Sequence, residues 1–239
     1  MRNILITGVS YGLGNYLTRR LINDGFKVIG IDCIFPESLR KEIDDKSFFY
    51  YNQDLNKIEE INGLLNRINS NHEKIDVVIN NAAILNFKFF LSYNSSEITR
   101  KLKVNLIAPI VSVNFYLKYM IERDYGRIIN ISSVSAFRGG ETTSVYAVSK
   151  SGLNRFHHVL YKEMKMINTS VNVTLNTICP GRIALPEFLK ENPEINSKKL
   201  IQPDKIFFII KKIITGNVNG KIYVIPKFNW KRLINEIKL

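Results

Sequence analysis

The sequence predicts an α/β fold: a parallel sheet of about seven strands with helices on both faces, in a three-layer, doubly wound arrangement. Two observations support this class. Short apolar runs typical of buried strands alternate along the chain with longer segments of helical periodicity. Small and polar residues follow the strand ends, which is where ligands bind in such sheets. A length of 239 residues suits one domain, 1–239.

Composition narrows the class of protein further. Hydrophobic residues make up 45% of the chain, as in ordinary globular proteins. No apolar run reaches about 18 residues, and the chain enters a strand directly, so we expect neither a membrane span nor a signal peptide. Cys33 and Cys179 lack the spacing of a disulfide or a metal site. We therefore expect free thiols, no metal and a cytoplasmic location.

The net charge of +13 raises the question of binding to nucleic acid or to a membrane surface. The lysines are scattered, however, and the sequence has no basic tract interleaved with aromatic residues. We therefore expect no nucleic-acid or membrane partner, only a weak attraction for anionic ligands.

The first predicted strand, 2–7, leads into a glycine-rich turn and then a helix. The turn reads Thr7-Gly8-Val9-Ser10-Tyr11-Gly12-Leu13-Gly14. Glycines let the backbone approach a pyrophosphate, and a helix N-terminus offers free N–H groups and a partial positive charge. Strand, turn and helix together predict a dinucleotide cradle of the Rossmann type. The residues expected to line this cradle are Gly8, Ser10, Tyr11, Gly12 and Leu13.

Asp32 ends the second predicted strand, 27–32. A carboxylate at this position accepts hydrogen bonds from both hydroxyls of an adenosine ribose, and it repels a 2′-phosphate. The glycine turn contains no basic residue that could bind such a phosphate. NAD is therefore predicted in preference to NADP. The alternative is a solvated aspartate that opens a loop.

Further strands are predicted at 48–51, 75–79, 127–133 and 171–178, separated by helices. One long helical region runs from Ser96 to about Glu122 and contains Asn105 between apolar residues. Pro109 has no backbone N–H, so it should kink or divide this helix near Asn105.

Ser133 ends the fifth strand, and the next helix carries Tyr146 and Lys150 at i,i+4 spacing, on one face. A lysine cation favours the phenolate, so we expect Lys150 to lower a tyrosine pKa that starts near ~10. Such a tyrosine can donate and accept a proton in catalysis, while Ser133 holds the reacting oxygen. The alternative is an exposed tyrosine beside a solvated lysine.

Together these residues resemble the short-chain dehydrogenase/reductase family in its single-domain branch. The glycine turn matches the cofactor motif, and Asn80-Asn81-Ala82 matches the motif of the central strand. The resemblance implies an NAD(P)-dependent oxidoreductase that interconverts an alcohol with a ketone or aldehyde. It also implies a small-molecule substrate and a homodimer or homotetramer. The implied catalytic residues are Asn105, Ser133, Tyr146 and Lys150. Beyond the glycine turn and Asp32, the implied cofactor-binding residues are Asp54, Leu55, Asn81, Ala82, Ala83, Tyr146, Lys150, Pro180, Gly181 and Ile183.

In the mechanism that this resemblance implies, Ser133 binds the substrate oxygen and Tyr146 transfers the proton. Lys150 binds the nicotinamide ribose, and Asn105 holds a water of the proton relay. The sequence departs from the family at Leu185, where a threonine usually contacts the nicotinamide, and at Ala83, where glycine is frequent. The tail 226–239 is also atypical, and its apolar spacing fits a helix packed within the chain or between subunits.

The segment 182–202 usually covers the substrate in this family, and its polar composition predicts a mobile lid. Leu85, Phe87, Phe89, Phe137 and Arg138 are candidate pocket walls. Arg138 and Arg182 could receive an anionic group of the substrate, although such arginines are more often solvated.

Two other functions stay open at this point. One is a non-catalytic protein that binds NAD as a sensor or structural subunit, for which the catalytic set would be unnecessary. The other is a sugar-nucleotide epimerase or dehydratase, for which the glycine spacing and the short C-terminal region are unsuitable.

Overall fold

A seven-stranded parallel sheet forms the centre of the molecule in the computed structural model, which describes residues 2–40, 47–167 and 172–226. The strand order is β3-β2-β1-β4-β5-β6-β7, so the chain reverses direction across the sheet between β1 and β4. This arrangement confirms the predicted doubly wound fold. The strands are β1 (Asn3–Thr7), β2 (Lys27–Asp32), β3 (Phe48–Asn52), β4 (Val77–Asn80), β5 (Gly126–Ile131), β6 (Val173–Pro180) and β7 (Ile222–Ile225).

Helices cover both faces of the sheet, and the side chains of each strand alternate between two apolar layers. In β1, Ile4 and Ile6 pack in the layer that contains α1 and α8, whereas Leu5 packs in the layer that contains α2 and α4. Both faces are buried, which explains the continuous apolar runs in the sequence. The helices are α1 (Gly12–Asn23), α2 (Ile58–Asn71), α3 (Ser95–Leu102), α4 (Ala108–Glu122), α5 (Ser135–Arg138), α6 (Ser144–Met166), α7 (Pro186–Glu191) and α8 (Pro203–Thr215).

The strand ends differ by a few residues from the predicted ones. β5 stops at Ile131, so Ser132 and Ser133 stand just beyond its carboxyl end. β6 continues to Pro180, because that residue pairs with Ile225 of β7. These shifts leave the predicted polar residues at the same edge of the sheet.

The long helical region after β4 is divided, as Pro109 predicted. A π-helical turn, Lys103–Ile107, separates α3 from α4 and contains Asn105. Pro109 cannot donate to the carbonyl of Asn105, four residues earlier, so the regular ladder is interrupted there. Among the described residues, Ser95–Glu122 is the helical region long and apolar enough to span a membrane. It packs against α2 and the sheet, as the core helix of a globular domain does.

The segment after β6 is tied down at its two ends. Ile183 and Ile201 form an isolated parallel bridge, and Ala184 N–H donates to the carbonyl of Ile201 at 2.9 Å. Between these ends, most residues of the expected lid are exposed or half-buried. Apart from Pro226, the predicted C-terminal tail lies outside the described residues.

Candidate active site

The glycine turn between β1 and α1 depends on its lack of side chains. Gly8 and Gly12 have positive φ angles of 75° and 57°, where other residues are strained. A Cβ on Gly14 would lie 1.7 Å from the carbonyl oxygen of Gly8. The turn is therefore packed directly against the first turn of α1, which directs backbone N–H groups toward the carboxyl edge of the sheet.

The end of β4 clamps this turn from the side. Thr7 Oγ1 accepts hydrogen bonds from the backbone N–H groups of Asn81, at 3.1 Å, and Ala82, at 3.0 Å. In return, Asn81 Nδ2 donates to the carbonyls of Thr7, at 2.9 Å, and Gly8, at 3.1 Å. The clamp fixes the turn from a residue more than seventy positions away in sequence.

The neighbouring asparagine joins the next pair of strands. Asn80 Nδ2 donates to Asn130 Oδ1 at 2.9 Å, and both side chains are buried. Asn80 thus bridges the ends of β4 and β5. The contributions of Thr7 and Asn130 were not foreseen, since a polar residue inside an apolar strand is a weak signal by itself.

Asp32 lies at the carboxyl end of β2, beside the glycine turn. Its Oδ2 accepts from the Ser10 N–H at 2.9 Å, and its Oδ1 accepts from the Cys33 N–H at 2.8 Å. These bonds hold the carboxylate in one orientation, and each oxygen keeps acceptor capacity. Asp54 and Leu55 follow β3 on the same side, half-buried, with Asp54 Oδ1 accepting from Asn56 N–H at 2.9 Å.

Ser133, Tyr146 and Lys150 are brought together as predicted, and all three are buried. Ser133 Oγ accepts a hydrogen bond from the Ser135 N–H at 3.0 Å, and it lies near enough to Tyr146 to lower the pKa of that hydroxyl. Lys150 Nζ donates to the carbonyl of Ile131 at 2.9 Å and lies 5.8 Å from the centre of the Tyr146 ring. The alternative of an exposed tyrosine beside a solvated lysine is therefore wrong.

Burial dominates the acid–base properties of this group. Burial raises the pKa of Tyr146, and the hydrogen bond from Ser133 opposes that rise. Burial also lowers the pKa of Lys150 to about 8. The expectation that Lys150 lowers the tyrosine pKa is wrong for the chain by itself, since the ammonium is directed at a backbone carbonyl instead of the phenol oxygen.

Asn105 is buried, but its side chain does not point at Lys150. Its Oδ1 accepts from the Ile84 N–H at 2.7 Å, and its Nδ2 donates to the Ile84 carbonyl at 3.0 Å and to Ser149 Oγ at 3.2 Å. Ser149 Oγ in turn donates to the carbonyl of Tyr146 at 2.7 Å. Asn105 thus joins the loop after β4 to the helix that carries Tyr146. Sequence reasoning missed Ser149, whose only signal is its place beside Lys150.

The end of β6 and the loop after it are hydrogen-bonded to β7 and to the loop after β5, at the carboxyl edge of the sheet. Gly181 N–H donates to the carbonyl of Ile225 at 2.7 Å, and Val134 N–H donates to the carbonyl of Pro180 at 3.1 Å. Leu185 Cδ1 lies 3.6 Å from the position that a Cβ on Gly12 would take. The residue that replaces the expected threonine therefore packs against the glycine turn. Ile183, between Gly181 and Leu185 in the sequence, is half-buried.

Several residues that were predicted to line the substrate pocket are exposed or only half-buried. Phe87 and Phe89 are exposed, so they do not enclose a pocket, and Arg182 is exposed as well. Arg138 is half-buried at the end of α5. Within residues 2–40, 47–167 and 172–226, no group of three or more His, Cys, Asp or Glu is placed to hold a metal. His157 is a buried residue of α6, with Nδ1 at 2.9 Å from Thr177 Oγ1.

The site fits a dinucleotide cofactor. The glycine turn has no room for a side chain at Gly8 or Gly14, the N-terminus of α1 opens at the carboxyl edge of the sheet, and Asp32 is aligned beside the turn. The buried Ser133, Tyr146 and Lys150 lie at the same edge. This arrangement defines a nucleotide-binding protein with a proton-transfer group.

Comparisons with known proteins agree with this class. The short chain dehydrogenase family matches residues 2–195. The chain is 31% identical to 3-oxoacyl-(acyl-carrier-protein) reductase FabG of Buchnera aphidicola, over 92% of this chain and 96% of that one. It is 27% identical to the acetoacetyl-CoA reductase of Allochromatium vinosum, over 92% of this chain and 93% of that one. A solved structure of 4-hydroxyisoleucine dehydrogenase with NADH superposes with a TM-score of 0.84 at 24% identity, over 94% of this chain and 97% of that one.

The chain therefore belongs to the short-chain dehydrogenase family, and it is an NAD(P)-dependent oxidoreductase. The expected resemblance, the fold and the general activity are confirmed.

Proposed function

We propose that the protein reduces the ketone of a small-molecule substrate to a secondary alcohol, or runs the reverse reaction, with Tyr146 as acid and base. The observation that carries this proposal is the buried group of Ser133, Tyr146 and Lys150 beside the glycine turn. A non-catalytic binding protein would gain nothing from burying these three polar side chains together, since each costs desolvation.

Each of these side chains has a separate task in the reaction. Ser133 donates a hydrogen bond to the carbonyl oxygen, and the Tyr146 hydroxyl transfers its proton to that oxygen as it becomes an alcohol. Lys150 places a positive charge beside the tyrosine and offers further N–H donors to the nicotinamide ribose. When bound, the nicotinamide supplies or accepts the hydride. The Asn105 side chain is bonded to Ile84 and Ser149, and Pro109 cannot donate to its backbone carbonyl, so we assign that carbonyl to hold the relay water.

We assign the cofactor as NAD. The support is the Asp32 carboxylate, held beside the turn by Ser10 and Cys33, because a negative charge there repels a 2′-phosphate. Purified protein should bind NADH at least about tenfold more tightly than NADPH. Fluorescence titration measures both affinities, and Asp32→Ala should narrow the difference. Equal affinities in the unsubstituted protein would overturn the assignment.

We assign the substrate class as 3-oxoacyl thioesters. Two relatives are named as reductases of such compounds, and the match covers nearly their whole length. The test is NADH oxidation with acetoacetyl-CoA, compared with a neutral cyclic ketone, a keto sugar and a 2-oxo acid. A higher kcat/KM for the thioester supports the assignment. A preference for any of the other three compounds contradicts it.

We further propose that the face formed by α4 and α6 packs against a second copy of the chain. A cleft of about 540 Å³ lies on this face, lined mainly by apolar side chains such as Leu117, Phe156 and Leu160. Lys118 and Glu163 also line the cleft, and a two-fold axis that runs between them would pair the lysine of each copy with the glutamate of the other. Light scattering should show a homodimer or homotetramer, and Leu160→Glu should reduce the mass. A monomer at micromolar concentration contradicts the proposal.

Two smaller assignments concern the segment after β6 and the location in the cell. Segment 182–202, anchored by the bridge between Ile183 and Ile201, is proposed to close over the bound substrate.

Both cysteines are free thiols, which supports a reducing, cytoplasmic location.

A further inference from the structure

The loop after β4 exposes an unusual density of large apolar side chains. Five of them lie within seven consecutive residues, 85–91, and we call them the apolar rim. Their exposed fractions are Leu85 53%, Phe87 63%, Phe89 72%, Phe90 59% and Leu91 97%. Single exposed apolar residues are common on proteins, but a contiguous group of this kind marks a binding surface.

The backbone that carries the apolar rim is held firmly. Ile84, just before it, is bonded through both its N–H and its carbonyl to the buried amide of Asn105. Lys88 N–H donates to the carbonyl of Thr142 at 3.0 Å, and Lys88 Nζ contacts both carboxylate oxygens of Glu97 at 2.8 Å. The exposed side chains therefore stand on a fixed support, which reduces the entropy that a ligand must overcome on binding.

The same contacts place the apolar rim beside the reacting group. The loop begins with Asn81 and Ala82, which belong to the clamp on the glycine turn. Thr142, bonded to the middle of the rim, precedes the N-cap of α6, and Tyr146 lies in the first turn of that helix. A substrate bound at Tyr146 would thus leave the site past this rim.

We propose that the apolar rim receives an extended hydrocarbon chain of the substrate. This inference rests on the proposed function and narrows it from 3-oxoacyl thioesters in general to those with medium or long acyl chains. The contact proposed for a second copy of the chain is a different surface, the cleft between α4 and α6. A membrane surface would need cations around the rim, and the cation within it, Lys88, is paired with Glu97.

Chain-length dependence of the reaction tests the proposal. The substrates are N-acetylcysteamine thioesters of 3-oxo acids with four, six, eight and ten carbons, with NADH. Because the rim covers one side of the chain, we expect kcat/KM to rise about twofold per added methylene, or at least about tenfold from six to ten carbons. Phe87→Ser combined with Phe89→Ser should abolish most of this rise. Phe208→Ser, which removes an equally exposed phenylalanine from α8, should keep it.

A second measurement separates this proposal from the proposed function. Saturated acyl thioesters of the same lengths cannot be reduced, and calorimetry gives their affinity for the protein with NADH bound. Affinity that rises with chain length in the unsubstituted protein, and not in the double variant, supports the rim even if no ketone is turned over. Turnover that is independent of chain length leaves the proposed function intact and overturns the rim.

Folding and competing occupants are checked with the same variants. Substitution of exposed side chains should leave the free energy of unfolding within about 0.5 kcal/mol, so lost chain-length dependence is not lost structure. A change in the mass of the double variant by light scattering would assign the rim to a subunit contact. Loss of binding to anionic lipid vesicles in that variant would assign it to a membrane. Either result overturns the proposal.

Discussion

The glycine turn and the apolar rim meet at one edge of the sheet, yet they are built in opposite ways. In the turn, backbone contacts leave no space at Gly8 and Gly14, and the buried Thr7 and the half-buried Asn81 hold it through hydrogen bonds. In the rim, the loop that carries it is anchored through its backbone and Lys88, and the apolar side chains extend into solvent. The glycine turn is held by side chains and presents backbone groups to a ligand. The apolar rim is held through the backbone of its loop and presents side chains to a ligand.

This difference corresponds to a division of tasks. The pyrophosphate of a cofactor common to many oxidoreductases is bound by backbone groups, whose geometry does not vary with sequence. A substrate is selected by side chains on loops, which can change without disturbing the sheet. Substitutions in either region, or in the reacting group that they share, test this division of tasks.

The largest effect is expected from Tyr146→Phe, which removes the proton donor. We expect kcat to fall at least about 1000-fold, because proton transfer by a positioned side chain contributes about 10²–10⁴. Cofactor affinity should change less than about threefold, since it depends mainly on the turn and Asp32. NADH absorbance measures the first quantity and fluorescence titration the second.

Tyr116→Phe is the matched control for this variant. Tyr116 is fully buried in α4, and its hydroxyl has no hydrogen-bond partner in the described part of the chain. Its loss should leave turnover unchanged. Turnover that survives in Tyr146→Phe would show that another group transfers the proton.

The next effect is expected from Gly14→Ala. The added Cβ would lie 1.7 Å from the Gly8 carbonyl oxygen and 2.5 Å from Asn81 Nδ2, so the turn and its clamp must open. We expect the dissociation constant for NADH to rise about 100-fold or more, which corresponds to about 3 kcal/mol. Fluorescence titration measures the constant, and unfolding by urea reports the accompanying loss of stability.

Gly63→Ala separates this steric effect from the general effect of replacing glycine. Gly63 lies inside α2, and an added Cβ meets nothing within 4 Å. This variant should gain about 0.5–1 kcal/mol of stability and bind NADH normally. Normal binding by Gly14→Ala as well would show that the turn is not rigid, and the contrast with the rim would disappear.

The parts of the site that could be predicted from sequence are those that depend on local chain geometry. The spacing of Gly8, Gly12 and Gly14 predicts the turn, and Pro109 predicts the division of the helix at Asn105. Parallel strands of one sheet place their carboxyl ends together, so Asp32 and Ser133 could be assigned to the same edge.

Properties that depend on packing between distant segments could not be predicted. The pKa of Tyr146 follows from how deeply α6 is buried, and no spacing in the sequence reports that depth. The same holds for the Asn105 amide, which binds Ile84 and Ser149 instead of facing Lys150. Exposure of the apolar rim was equally hidden, because Phe87 and Phe89 read as pocket walls when only composition is known.

Raising the pH should lower the activity of Tyr146 and Lys150 before it affects the glycine turn or the apolar rim. Reduction needs a protonated Tyr146, whose pKa is raised, and a charged Lys150, whose pKa is lowered to about 8. Lys150 therefore loses its charge first, and kcat/KM for reduction should fall about tenfold per pH unit above about 8. Lys150→Arg stays charged at that pH, so its lower activity should decline only at higher pH. A flat profile to pH 10 in the unsubstituted protein would contradict this order of titration.

The smallest effect is expected from Leu185→Thr, at the boundary between the cofactor edge and the lid. Leu185 packs beside Gly12, at the position where the family usually has a threonine that contacts the nicotinamide. A hydroxyl there should add one hydrogen bond of about 1 kcal/mol, which is about a fivefold decrease in the dissociation constant for NADH. Leu185→Val removes similar volume without adding a hydroxyl, so it is the matched control and should not tighten binding. If both variants weaken binding equally, the leucine contributes by packing against the turn. Side chains would then support cofactor binding directly, and the division between backbone and side-chain recognition would not hold at this boundary.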